Sequence, residues 1–89
     1  MISSSPRRTL FMVVPCDRDV RGNVVPGRPI EAPDSQTAVR RAERLASRRA
    51  GAVAFARTGD TVFGEWDEAV VLGRFGRVPD EVVEQLKAA

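Results

Sequence analysis

The chain contains no histidine and no tyrosine, one cysteine, one tryptophan and, among fourteen basic residues, a single lysine. Each scarcity excludes something. Without histidine the commonest base near neutral pH is missing, and with it the usual way of activating a serine or cysteine nucleophile. Cys16 has no second cysteine to pair with, so nothing points to an oxidising compartment. It reads as a buried or loop thiol, with Arg18 and Arg21 the only nearby cations able to ionise it.

Long apolar runs are missing too. Pro6-Arg7-Arg8-Thr9-Leu10-Phe11 has the look of a twin-arginine export signal, but the run behind it stops at Val14, before Pro15 and Asp17-Arg18-Asp19. A signal peptide needs about 7–15 apolar residues and a small-residue cleavage site. Val13-Val14-Pro15-Cys16 fails as a lipoprotein signal on the same short run. No segment approaches the roughly 20 apolar residues of a membrane span. The expected location is cytoplasmic, with no membrane partner.

What is present describes one soluble domain. Eighty-nine residues leave no room for a second core, and 43% apolar with 29% charged residues is ordinary for a globular chain. Residues 1–6, rich in serine, are expected to be a disordered tail, and residues 7–89 a single α+β domain.

Thr9 to Val14 is a continuous apolar run of strand formers, which predicts a strand buried on both faces. A turn is expected at Arg21-Gly22-Asn23. Val24 and Val25 begin a return strand, which Pro26, Pro29 and Pro33 confine to a sheet edge. A helix opens at Asp34 or Ser35 and runs to Ala50, with Ala38, Val39, Ala42, Leu45, Ala46 and Ala50 as its buried stripe and Gly51 as its stop. Gly51 to Thr58 alternates as a third strand. A polar loop carries Phe63, Gly64 and Trp66. A fourth strand follows from about Glu68 to Phe75, with Val70 and Leu72 on one face and Ala69 and Val71 on the other. A short helix begins at Pro79-Asp80.

The pattern is ββαββα. It predicts a two-layer sandwich in which a four-stranded antiparallel sheet, order 2-1-3-4, carries the main helix on one face. The first and fourth strands are apolar on both sides. Either the C-terminal helix or a second copy of the chain must then cover the other face.

Net charge hides an asymmetry. Residues 1–59 carry +6 and residues 60–89 carry −4. On the main helix, Arg40, Arg44 and Arg48 fall at i, i+4 and i+8, spanning about 12 Å, with Arg41 within a quarter-turn. These four are the candidate anion- or partner-binding residues. Guanidinium groups so spaced could neutralise successive phosphates. The same pattern also describes a solvated helix face, and the acids Asp60, Glu65, Asp67, Glu68, Asp80, Glu81 and Glu84 could neutralise it. Phosphate binding requires the two patches to lie apart. Little supports base-specific recognition, because only Gln36 among the adenine-reading residue types is near.

Other chemistry is excluded by spacing. Asp60, Glu65, Asp67 and Glu68 do not form a calcium loop, and the glycines at 59, 64, 73 and 76 form no phosphate-binding fingerprint. No catalytic residue, cofactor, metal or small-molecule substrate is expected. Trp66 reads as a lid on the core edge before it reads as a base-stacking platform.

The block Arg49-Ala50-Gly51-Ala52-Val53-Ala54-Phe55-Ala56-Arg57-Thr58-Gly59-Asp60 resembles a family of short bacterial proteins of unknown function. Gly64-Glu65, Asp67-Glu68-Ala69-Val70-Val71-Leu72, Phe75-Gly76-Arg77-Val78-Pro79 and Phe11-Met12-Val13-Val14-Pro15 extend the resemblance over most of the chain. It implies a free-standing bacterial domain and carries over no site residue.

Two functions remain as expectations. The first is a non-enzymatic binding or adaptor module whose contacts are with a protein partner or with itself. The second is a weak, non-specific nucleic-acid backbone binder using Arg40, Arg41, Arg44 and Arg48.

Overall fold

The computed structural model describes residues 7–60 and 62–88; the tail expected over residues 1–6 lies outside them. The described chain is α+β, with two helices and six antiparallel strands. β1 (Arg7–Arg18) and β4 (Gly51–Asp60) form its spine, paired from Arg7↔Asp60 to Cys16↔Gly51.

The expected four strands become six because each outer row is broken. β2 (Val24–Pro26) and β3 (Ile30–Ala32) both pair with β1, and β5 (Glu65–Trp66) and β6 (Val70–Gly76) both pair with β4. The expected order is therefore matched only in part. Prolines break the first row, as anticipated at an edge. β1 itself continues past Pro15 to Arg18, beyond its expected end at Val14. The Pro15 carbonyl accepts from the Gly27 amide at 2.7 Å, so its nitrogen faces the gap between β2 and β3. No ladder carbonyl waits there for the missing N–H. In the other row Leu72 is an extra residue, with Ala54 opposite Gly73 and Phe55 opposite Val71, and this bulge bends the strand.

Residues 65–66, expected in a loop, pair with β4 because Gly59 has no side chain. A Cβ there would lie 2.4 Å from the Trp66 ring. Only glycine lets the indole lie flat across the strand.

α1 (Ser35–Ala46) is capped by Asp34, whose carboxylate accepts from the Thr37 amide at 2.7 Å. It ends four residues before its expected limit. The Ser47 amide and hydroxyl both donate to the Arg44 carbonyl, at 3.2 and 2.7 Å, and the Arg48 amide donates to Leu45 at 2.9 Å. These i−3 bonds tighten and close the last turn. Gly51 is not the helix stop; it opens β4, where a Cβ would come within 2.3 Å of the Arg77 carbonyl oxygen. Ala50 accordingly leaves the expected helical stripe.

The two helices lie on opposite faces, so the expected two layers are three. α1 sets Ala38 and Ala42, with Val39 and Leu45, against Val13, Ala32, Ala52 and Ala54. α2 (Asp80–Ala88) sets Val82, Val83 and Leu86 against Val14, Cys16, Val53 and Phe55. Successive side chains of β1 and β4 alternate between these cores. Alanine on both the helix and β4 lets α1 approach closely, and the larger side chains under α2 fill the wider layer. Val70 with Leu72, and Ala69 with Val71, divide between the faces as their alternation predicted.

Candidate functional site

Arg40, Arg41, Arg44 and Arg48 are all exposed. Arg40, Arg41 and Arg44 lie on α1, on the side away from its alanines. Arg48 does not extend their ridge, because it belongs to the turn beyond the helix end. Along the axis Arg40 and Arg44 are about 6 Å apart. The Arg41 guanidinium donates to the Glu31 carbonyl at 3.3 Å. Among the described residues the ion pairs are Arg7–Asp67, Arg49–Asp17 and Arg74–Asp80, none involving these four arginines. The acids of α2 stand on the opposite face of the sheet.

The cap carboxylate feels the charge of two of the helix arginines. Asp34 titrates below the usual carboxylate range, because Thr37 donates to it and, more weakly, because Arg40 and Arg41 attract its charge. Asp17 is likewise held low, chiefly by hydrogen bonds from Arg49, whose Nε donates at 2.6 Å and whose terminal nitrogen reaches the other oxygen. Cys16 is fully buried, and burial followed by the charge of Asp17 pushes its thiol pKa up. That is the environment of an inert packing thiol.

A second feature escaped the sequence reading. α2 is nine residues long and covers only one end of its face. At the other end Leu10, Met12 and Phe55 floor a cleft of about 290 Å³, with Trp66, Pro29 and Arg57 as walls. Met12 pairs with Phe55 and Leu10 with Arg57, which brings all four onto one face. The Arg57 guanidinium donates to the Leu86 carbonyl at 3.3 Å, so the last turn of α2 borders the cleft. Trp66 is half-buried and lies over Gly59.

Beyond Trp66 the β4–β5 turn presents Val62 and Phe63, which are 66% and 69% exposed. Its described residues are hydrogen-bonded back to Asp60. The Asp60 carboxylate accepts from the Val62 and Phe63 amides at 2.8 and 3.2 Å, and Gly64, at φ +72°, donates to the Asp60 carbonyl at 2.8 Å. Asp60 itself is only 5% exposed.

The signals for these features were faint. Leu10 and Met12 read as strand core, and only the shortness of the last helix hinted that part of its face would stay open. Two apolar residues in a turn were the hint for Val62 and Phe63. Compared with protein families, curated proteins and solved structures, the chain matches none.

Proposed function

We propose that this chain is a small non-enzymatic binding or adaptor module acting through protein–protein contacts, with the cleft beside α2 as its contact site. The observation that carries this reading is an apolar recess, walled by Trp66 and floored by Leu10, Met12 and Phe55, on a face its own helix leaves open. Indole and methionine side chains at a partly buried rim are the usual anchors of protein contacts. A bacterial origin and a cytoplasmic location belong to the same proposal. Among the described residues no helix is long and apolar enough to cross a membrane.

The test is a photo-cross-linking residue at Pro29, an exposed position on the cleft wall, with the same residue at Val20 as control. Val20 is fully exposed in the β1–β2 turn, at the far end of β1. A protein adduct from position 29 and none from position 20 is the expected result. Absence of any protein adduct at position 29 overturns the reading.

A second reading, phosphate-backbone binding by Arg40, Arg41, Arg44 and Arg48, is favoured by one arrangement: the arginines and the acids of α2 face away from each other. The salt dependence of duplex binding tests it.

A further inference from the structure

We infer that the occupant of the cleft is a second copy of this chain, each protomer seating the Val62-Phe63 tip of its β4–β5 turn in the cleft of the other. The inference rests on the cleft being a protein-contact site and names its partner.

Donor and acceptor are both present on one hairpin. Phe63 is the one aromatic side chain left exposed among the described residues. Turn positions ordinarily carry polar or glycine residues, yet here a buried carboxylate, Asp60, spends two acceptor bonds holding an apolar tip outward. A tip fixed in this way loses little conformational freedom on docking. The acceptor is large enough: about 290 Å³, where about 150 Å³ of apolar cavity houses a benzene ring.

The tip cannot serve the cleft of its own chain. Along the hairpin, the Gly59–Trp66 pair stands between the cleft residues Phe55 and Arg57 and the turn. Arg57 and Asp60, where the turn begins, are three positions apart along β4, roughly 10 Å of extended chain. Two hairpins laid antiparallel about a two-fold axis can therefore exchange tips simultaneously, which gives a closed, isologous contact. The contact is smaller than the roughly 800 Å² per partner of a standard interface, so the dimer is weak and concentration-dependent.

Sedimentation equilibrium from low micromolar to millimolar chain should show the mass climb from 9.7 kDa toward twice that value. Phe63→Ser, at an exposed position that leaves the fold intact by circular dichroism, should stay at 9.7 kDa throughout. The cross-linker at Pro29 should then join residues 60–66 of a second copy. A monomeric wild type, or a dimer that persists in Phe63→Ser, overturns the inference. An adduct to a different protein from a monomeric chain also overturns it, while leaving the protein-contact reading in place. No protein adduct overturns both.

Discussion

Glycine 59 shows how much one side chain, or its absence, controls here. The indole of Trp66 lies against the bare Cα, and a methyl group would come within 2.4 Å of the ring and 2.6 Å of the Glu65 carbonyl oxygen. Neither neighbour can yield without moving β5 off β4 or lifting the indole. Gly59→Ala should therefore destabilise the fold by about 1–3 kcal/mol, the range for overpacking a filled site. It should also shift the emission of the single tryptophan to the red as the ring leaves the sheet. An unchanged emission maximum would show that Trp66 does not depend on that contact. The other buried residue with an assignable role, Cys16, offers no comparable chemistry: it packs, and its pKa is raised.

At the scale of elements, α1 is marginal by itself. It has twelve residues, like charges at Arg40 and Arg44, and no acid in its first turn. Packing of its alanines holds it, and Asp34 sets where it begins. Removing that cap in Asp34→Ala should lower the melting temperature at neutral pH. The sign of the pH effect follows from the depressed carboxyl. A group whose folded pKa lies below its unfolded value, about 3.9 for aspartate, stabilises the fold above that value. The contribution is lost as pH falls through the lower folded pKa. The melting-temperature gap between wild type and Asp34→Ala should accordingly close on acidification. A gap that stayed constant down to pH values where every carboxylate is protonated would mean the carboxylate charge is not what caps the helix. α2 is arranged in the complementary manner, with Asp80 and Glu81 in its first turn and Lys87 in its last, each matching the helix dipole.

Across the whole molecule, the sheet separates the arginines of α1 from the acids of α2. The α2 side is itself mixed, since Arg74 pairs with Asp80 at 3.0 Å and Arg8 shares that face of the sheet. If the basic surface holds a nucleic-acid backbone through about four contacts, duplex affinity should fall with salt at a log–log slope near −3 to −4. Replacing Arg40, Arg44 and Arg48 together with alanine should flatten that slope. Binding that ignores salt, or that survives the triple substitution, removes the second functional reading. The tip-exchanged dimer tolerates either outcome, because its contacts lie on the face opposite α1.

Local patterns in the sequence were enough to identify the class of the fold. The apolar run at Thr9–Val14, the alternation from Gly51, the alanine stripe opposite the arginines and the Pro79-Asp80 start each depend on neighbours a few positions away. Such short-range periods survive into the structure because burial acts on them directly. Arg40, Arg41 and Arg44 were legible on the same ground. Features set by distant residues were not. Whether Arg48 stays helical depends on the chain having to reverse into β4 beside Arg77; whether Pro15 can sit inside β1 depends on a gap thirteen or so residues downstream. Whether Leu10 and Met12 are core or cleft depends on where a nine-residue helix from the other end of the chain stops. Periodicity tells which side of a strand is apolar. Only the packing of remote elements decides how much of that side is covered.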